Sequence, residues 1–221
     1  MTTAEMTTDS HVKVLPPNGY ITALMTTLRD SNTESDRFAD TVHRLAAQLM
    51  VLVLDLIPTE PLRVLTPTGA YFEGATHKAE VCGVSILRAG GSLEPSLRHA
   101  YTGPLSFGKI LIQRNEETSQ PKHIYSKFPP NLAQKTVVIL EPMVATGGSA
   151  SMAVEKLMAE GVPEDKIIFA NLIASKQGLQ VLRSRFPTMH VVTAAIDSDM
   201  TASNHISPGL GDFGDRFDGT L

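Results

Sequence analysis

The stretch TVVILEPMVATGGSASMAVEKLMAEG (residues 136–161) decides the fold class of this chain. It begins with a short apolar, β-branched run over 137–140 and continues through a loop that contains Gly147 and Gly148. Apolar residues at helical spacing follow, and Gly161 stands where a helix C-cap is expected. A buried strand, a glycine-containing loop and a helix in this order are typical of one unit of an α/β sheet.

The loop of this unit has the residue types of a phosphate site. Gly147 and Gly148 let the backbone approach an anion closely, and the amino end of a helix offers free N–H groups and the positive end of its dipole. Thr146 and Ser149 can add hydroxyl donors. Glu141 ends the strand, and a carboxylate there is suited to accept hydrogen bonds from a ribose diol. The combination predicts a site for a ribose 5-phosphate.

The glycines of the chain also suggest three other structures. Gly147-Gly148 alone is compatible with an ordinary tight turn before a helix capped by Ser149. A Walker A loop is excluded, because no lysine follows the glycines. Residues 209–214 match a dinucleotide fingerprint literally, but no predicted strand precedes them and no room is left after them for the required helix.

The rest of the chain alternates between short apolar runs and amphipathic stretches. Further strands, buried on both faces of a parallel sheet, are predicted at 80–87, 109–113, 166–174 and 190–196. Helices are predicted at 93–100, 149–160 and 176–185. The predicted fold class is therefore α/β, a parallel sheet flanked by helices with right-handed crossovers.

The amino-terminal part is predicted in more detail. Residues 1–11 are polar and expected to be disordered, and 12–221 are expected to form one domain that starts with a short strand at 12–15. A first helix is predicted at 20–29. A second, at 35–56, has one apolar stripe, and its shortness favours a core-facing or dimer-facing helix over a coiled coil.

Two segments are predicted to lack helix. Residues 61–75 contain Thr, Pro and Gly, which indicate a turn or hairpin. Residues 206–221 are rich in Gly and Asp and are predicted to be an ordered loop without a regular element.

Composition limits the partners and the compartment. The net charge of −4, without a long block of like charge, argues against nucleic acid or an anionic membrane as the main partner. Cys82 is the single cysteine, which excludes an internal disulfide and a cysteine-based zinc site, and it is predicted to be a small buried hydrophobe. The first residues lack a signal-peptide pattern, so a cytoplasmic location is expected.

Four segments resemble the uracil phosphoribosyltransferase family in order and spacing. EPMVATGGS (141–149) resembles its phosphoribosyl pyrophosphate loop, which usually begins Asp-Pro-Met, and GVSILRAG (83–90) resembles its pyrophosphate-side segment. ILIQRNEET (110–118) resembles its mobile loop, and ISPGLGDFGDR (206–216) its uracil-binding segment. The resemblance covers about 64–220 and is strongest to eukaryotic members.

The resemblance implies a type I phosphoribosyltransferase fold, with a small hood that includes 197–221. It implies transfer of ribose 5-phosphate to uracil, giving UMP and pyrophosphate, with Mg²⁺ carried by the donor and not by a set of protein ligands. It also implies a homo-dimer or homo-tetramer and a possible GTP effector.

The residues with implied roles fall into three groups. Those expected to act in catalysis are Arg88, Arg114 and Asp212. Those expected to bind phosphoribosyl pyrophosphate are Arg88, Arg114, Glu141, Pro142, Met143, Val144, Ala145, Thr146, Gly147, Gly148, Ser149 and Asp212. Those expected to bind uracil are Ile206, Gly211, Asp212 and Phe213.

Residue chemistry agrees with these roles but leaves alternatives open. An arginine fork suits phosphate, yet Arg88 is also compatible with a structural strand end and Arg114 with a surface loop. The tail containing Asp212 is also compatible with a segment that only packs on the core. Glu141 stands where the family usually has Asp, and His205 where it usually has Tyr. These departures keep two other functions open: a regulator that binds phosphoribosyl pyrophosphate or UMP with little or no turnover, and a transferase for another base.

Overall fold

A computed structural model describes residues 9–114 and 121–220 of the chain, and of Arg114 only the backbone. In chain order the strands are β1 (Val12–Val14), β2 (Glu60–Leu65), β3 (Tyr71–Thr76), β4 (Val81–Leu87), β5 (Leu105–Arg114), β6 (Pro121–Lys127), β7 (Thr136–Leu140), β8 (Met143–Val144), β9 (Ile167–Ser175), β10 (His190–Asp197), β11 (Asp199–Met200) and β12 (Ile206–Ser207). The helices are α1 (Gly19–Arg29), α2 (Ser35–Leu54), α3 (Glu94–Ala100), α4 (Gly148–Ala159), α5 (Lys176–Arg185) and α6 (Phe213–Asp218).

The central sheet has the order β1-β10-β9-β7-β4-β5-β6, and β8 extends the pairing of β9. Its strands run parallel except β6, which is antiparallel to β5. Every residue of β9 is buried, as expected for a strand covered on both faces. The predicted α/β class with a mainly parallel sheet is confirmed.

Two apolar clusters cover the two faces of the sheet. One contains buried residues of α1, α2, α3 and α6, and the other contains buried residues of α4 and α5. The apolar stripe of α2 lies in the first cluster, where Phe38, Leu45 and Leu49 are fully buried. The core-facing interpretation of that helix is therefore confirmed. Cys82 is buried in β4, and burial raises the pKa of its thiol.

The predicted hairpin is present, but the prediction that residues 206–221 form a loop without a regular element is wrong. The hairpin consists of β2 and β3, which pair with each other outside the central sheet. The segment after residue 205 contains β12 and α6, and α6 begins inside the stretch 209–214. The helix forms because Asp212 caps it and Phe213 inserts into the core. The frequent Gly and Asp residues of this segment indicated a loop, so neither β12 nor α6 was predicted.

The segment 1–11, predicted to be disordered, includes a residue that contacts the rest of the chain. Asp9 accepts a hydrogen bond from Arg183 of α5 at 2.8 Å, so part of the predicted disordered segment 1–11 contacts this helix, while residues 1–8 lie outside the described part. Within residues 9–114 and 121–220, no helix has both the length and the apolar character needed to cross a bilayer.

Candidate active site

A cavity of about 800 Å³ opens at the carboxyl edge of the sheet. In open α/β sheets this edge is where ligands bind. The cavity is lined on the sheet side by residues at or just after the carboxyl ends of β4, β5 and β7, and on the other side by residues between 203 and 214. The lining segments are 86–89, 111–113, 141–150 without Pro142 and Thr146, 203–206 and 211–214.

The structure brings most of the predicted site residues to this one cavity. Arg88, Glu141, Ile206 and Asp212 come from four separate segments and line the same space. Pro142 and Thr146 do not line it, and the Pro142 carbonyl instead accepts hydrogen bonds from the backbone of β9. The side chain of Arg114 lies outside the described residues.

The loop before α4 is shaped by its contact with α5. Gly147 caps α4 with φ of 79°, a left-handed conformation that glycine adopts without strain. The Ala145 carbonyl accepts a hydrogen bond from Ser175 Oγ, and a Cβ on Gly178 would lie 2.4 Å from that carbonyl oxygen. The close approach therefore requires glycine at 178. The interpretation in which Ser149 caps the helix is wrong, because Gly147 occupies the cap position.

The start of α4 presents backbone donors to the cavity. Gly148, Ser149 and Ala150 form the first turn of the helix and line the cavity. The first N–H groups of a helix have no intrahelical partner and point along the helix axis. Together with the positive end of the helix dipole, these groups are suited to bind an anion. This geometry agrees with the phosphate site predicted from the sequence.

Arg88 stands where β4 ends and is exposed at the cavity. A 3₁₀ turn over Ala89–Leu93 follows it, and the Leu87–Arg88 peptide is cis. A Cβ on Gly90 would lie 2.1 Å from the Leu140 carbonyl oxygen, so the turn needs glycine to pack against the end of β7. The fold thus presents Arg88 at the carboxyl edge, in the same cavity as the first turn of α4.

The tail forms the opposite wall of the cavity. Gly209 and Gly211 have φ of 54° and 83°, and a Cβ on Gly209 would lie 2.1 Å from the Ile206 carbonyl oxygen. Asp212 Oδ1 accepts a hydrogen bond from the Asp215 N–H at 3.0 Å and caps α6. Asp212 therefore caps α6 and lines the cavity at the same time. Phe213 is buried against Phe38, with ring centroids 5.6 Å apart.

The loop between β11 and β12 borders the same cavity. Ser203 Oγ and His205 Nδ1 are 3.0 Å apart, and the His205 N–H donates to Thr201 Oγ1 at 3.1 Å. The His205 side chain is exposed at the rim. His205 therefore belongs to the cavity wall on the side of the tail.

Sequence reasoning missed three residues that hold the tail: Arg29, Asp197 and Arg216. Arg29 binds Asp197 and the Gly209 carbonyl, and Arg216 donates to the Leu28, Asp30 and Leu210 carbonyls. Burial lowers the pKa of the Arg216 guanidinium, and the nearby Asp30 carboxylate opposes this. One signal was present in the sequence, because Asp197 directly follows an apolar strand, as Glu141 does.

Comparison with known proteins agrees with this geometry. The profile of the family described as uracil phosphoribosyltransferase matches residues 15–220. A uracil phosphoribosyltransferase of Dictyostelium discoideum is 41% identical over 97% of this chain and 99% of its own length. One of Lachancea kluyveri is 42% identical over 94% of this chain and 95% of its own length. A solved protein of Aquifex aeolicus superposes with a TM-score of 0.82 at 29% identity, covering 93% of this chain and 97% of that one. The chain belongs to the uracil phosphoribosyltransferase family.

Proposed function

We propose that this chain joins uracil to phosphoribosyl pyrophosphate and gives UMP and pyrophosphate. One observation carries the proposal: an anion site at a helix start, a strand-end carboxylate, an exposed arginine and a glycine-rich tail line a single cavity. Membership of the family supports the same reaction.

The donor is assigned to the sheet side of the cavity. The first turn of α4 binds the 5-phosphate through its backbone N–H groups, and Glu141 accepts hydrogen bonds from the ribose hydroxyls. Arg88 and Arg114 bind the pyrophosphate, for which a permanent positive charge and a planar fork are suited. Met143, Val144 and Ala145 complete this wall of the cavity.

The base is assigned to the tail. Uracil presents an alternating set of donors and acceptors at its edge, which the backbone of Gly211, Asp212 and Phe213 can match. Ile206 is 7% exposed and supplies an apolar surface for the ring. A base with the reversed polarity, such as cytosine, would leave polar groups of the tail unpaired, which is a strong ground for rejection.

The reaction in this site needs no covalent nucleophile. Positive charge develops at C1′ of the ribose as pyrophosphate leaves, so positioning and electrostatics dominate. Mg²⁺ would be held mainly by the oxygens of the donor and by water, where it would neutralise pyrophosphate charge. Arg88 stabilises the charge on the leaving group, and Asp212 acts beside both base and donor.

The test is pyrophosphate release with four bases. The protein is incubated with donor and Mg²⁺ and with uracil, cytosine, hypoxanthine or orotate, and release is expected with uracil alone. Donor binding without release would instead identify a regulator, the function that the departure at His205 keeps open. Release with another base would identify a different transferase.

A variant of Arg88 tests the assignment of the pyrophosphate. UMP lacks pyrophosphate, so Arg88→Ala is expected to weaken donor binding by about tenfold or more, with much less effect on UMP. Arg98 is also exposed, but it stacks over Phe107 and does not line the cavity, so Arg98→Ala is the matched control. Equal losses for both ligands would contradict the assignment.

The proposal also includes self-association of the protein, an activating nucleotide and a cellular location. The exposed apolar face of the β2–β3 hairpin supports association into a homo-dimer or homo-tetramer, because a two-stranded ribbon is marginally stable alone. Activation by GTP, which the family resemblance implies, and a cytoplasmic location are further parts of the proposal. Activity measured with and without added GTP tests the effector.

A further inference from the structure

An ion pair outside the cavity holds the backbone that leads into it. Arg29 is the last residue of α1, and Asp197 is the last residue of β10. Nη1 and Nη2 of Arg29 donate to the two carboxylate oxygens of Asp197, each at 2.7 Å. The Asp197 side chain is 6% exposed, so the pair is a two-point contact largely shielded from water.

The pair binds both backbone polar groups of Gly209. The Gly209 N–H donates to Asp197 Oδ2 at 2.8 Å, and the Gly209 carbonyl accepts from Arg29 Nη1 at 2.8 Å. A backbone N–H or carbonyl that leaves such a partner in a buried place loses a hydrogen bond that water does not replace. Gly209 is therefore fixed from both sides by two residues that are distant in sequence.

The fixed residue lies just before the part of the tail that enters the cavity. Gly211 and Asp212 line the cavity, whereas Arg29 and Asp197 do not. Gly209 is already packed tightly, since a Cβ there would lie 2.1 Å from the Ile206 carbonyl oxygen. A shift of Gly209 would therefore be transmitted along the chain to Gly211 and Asp212.

Stability alone is a weak explanation for this pair. The desolvation of two charges offsets much of their attraction, so a buried ion pair adds little net stability compared with an apolar pair. What an apolar pair would lack is a donor for the Gly209 carbonyl and an acceptor for its N–H. The directed hydrogen bonds to Gly209 are thus the property that needs these two side chains.

We infer that Arg29 and Asp197 are positioning residues for the base. They hold Gly209 so that the backbone of residues 211–213 presents its donors and acceptors to uracil in the matching arrangement. The inference rests on the proposed function, because it assigns the base to the tail. It predicts that disturbing the pair damages recognition of the base and spares recognition of the phosphate, which is assigned to the first turn of α4.

The first test compares two ligands in the variant Asp197→Asn. The amide has one acceptor oxygen for three donors, so the hold on Gly209 is weakened while the shape is kept. Calorimetry is expected to show UMP affinity lowered about tenfold or more, the equivalent of one charge-assisted hydrogen bond. The affinity for ribose 5-phosphate, which lacks a base, is expected to stay unchanged.

The chain offers a matched control in a second partly buried pair. Arg183 Nε donates to Asp9 Oδ2 at 2.8 Å, with side chains 8% and 17% exposed, and neither residue lines the cavity. Asp9→Asn is expected to leave the affinities for UMP and ribose 5-phosphate unchanged. A loss of UMP affinity like that of Asp197→Asn would overturn the inference, since it would indicate a general effect of losing an ion pair.

Variants of Arg29 give a second test if Asp197→Asn does not fold. Arg29→Lys keeps the charge but loses the fork, so KM for uracil is expected to rise while kcat at saturating uracil changes little. Arg29→Ala is expected to be partly rescued by millimolar guanidinium, which can enter this partly exposed position, and not by methylammonium. An unchanged KM for uracil in Arg29→Lys, or no rescue of Arg29→Ala, would overturn the inference.

Failure of the inference and failure of the proposed function give different results. If the unaltered protein binds ribose 5-phosphate but not UMP, the proposed function fails and the inference fails with it. If the unaltered protein binds both, and Asp197→Asn loses both equally or neither, only the inference fails.

Discussion

At the residue scale, Gly147 and Gly148 of the loop before α4 differ in the side chain that their surroundings allow. Gly147 has φ of 79°, and a Cβ there would face α5, 3.0 Å from the Gly178 carbonyl oxygen. Gly148 does not have a positive φ, and the nearest atom to a Cβ there would be Pro121 Cγ at 3.5 Å. Gly147 is therefore required by the fold, whereas Gly148 has room for a side chain beside the cavity.

Valine at the two positions should separate stability from binding. Gly147→Val is expected to lower the free energy of unfolding by at least about 1–3 kcal/mol, because valine is strained at positive φ. Gly148→Val is expected to keep its Tm and to weaken UMP binding, because the side chain crowds the start of α4. Thermal melts and calorimetry measure the two effects. Normal UMP affinity in a folded Gly148→Val would contradict the phosphate site.

Asp212 combines a structural and a proposed catalytic role in one carboxylate. Asn is as good a helix cap as Asp, so Asp212→Asn is expected to keep the Tm and lose most turnover, because the charge at the cavity is gone. Asp212→Ala is expected to lose turnover and also about 0.5–2 kcal/mol of stability with the cap. Substantial turnover in Asp212→Asn would exclude a catalytic role for the charge.

At the scale of elements, Arg216 joins the tail helix α6 to α1. It is 9% exposed, donates to the Leu28 and Asp30 carbonyls, and lies 4.4 Å from the centroid of the Phe38 ring. The tail is therefore part of the core and not a separable loop. Removing everything after His205 would uncover Phe38, so single substitutions test the tail better than truncation does.

Arg216→Ala should destabilise the whole fold. It leaves three carbonyls without their charged donor, and the loss is expected to be about 4.5 kcal/mol, from about 1.5 kcal/mol for each charge-assisted hydrogen bond. Arg185 of α5 pairs with Glu155 at the surface, and Arg185→Ala is expected to cost less than about 1 kcal/mol. Chemical denaturation compares the two, and equal small losses would contradict the role of Arg216.

The free energy of unfolding should depend on pH through His190, which lies in β10 next to β1. Burial lowers the pKa of His190, and His11, Arg183 and Lys13 lower it further, while Asp165 opposes them. The unfolded chain takes up a proton at the ordinary pKa of 6.5, which the folded chain resists. The contribution of His190 to the free energy of unfolding is therefore fully present above this pH and is lost as the pH falls below it.

The measurement is the Tm at about pH 7.5 and about pH 5.5, on either side of the ordinary histidine pKa. His190→Gln should reduce the loss of Tm at the lower pH. His99, exposed on α3, is the control, and His99→Gln should leave the loss unchanged. A loss of Tm that is the same in His190→Gln as in the unaltered protein would contradict the assignment.

At the scale of the whole molecule, the β2–β3 hairpin has an apolar face without a partner among the described residues. Leu62, Val64 and Phe72 share that face and are 44%, 41% and 60% exposed. The double variant Val64→Thr/Phe72→Thr is expected to dissociate the proposed assembly in sedimentation experiments, because association buries this face. Ile124→Thr, on the exposed strand β6, should leave the assembly intact. Unchanged sedimentation of the double variant would rule out the hairpin as the interface.

The sequence by itself determined the sheet, most of its strands and the glycine-containing loop before α4. Each of these depends on residues close together in the chain: apolar runs for β7 and β9, and the Gly147-Gly148 pair before a helical pattern. The positions of Arg88, Glu141 and the tail at one cavity were predicted through the resemblance and are brought together by the parallel sheet, whose strands all end at the same edge.

Only the tertiary structure decided how the tail is held. Arg29, Asp197 and Arg216 are separated from their partners by up to 188 positions, and no local pattern relates them. The tail helix α6 was missed because its stability comes from the burial of Phe213 and Arg216, and its Gly and Asp residues alone favour a loop. The orientation of Gly147 toward α5 was also invisible, since it depends on Gly178. Local periodicity follows from neighbouring residues, whereas hydrogen bonds to buried carbonyls depend on which distant segments the folded core brings together.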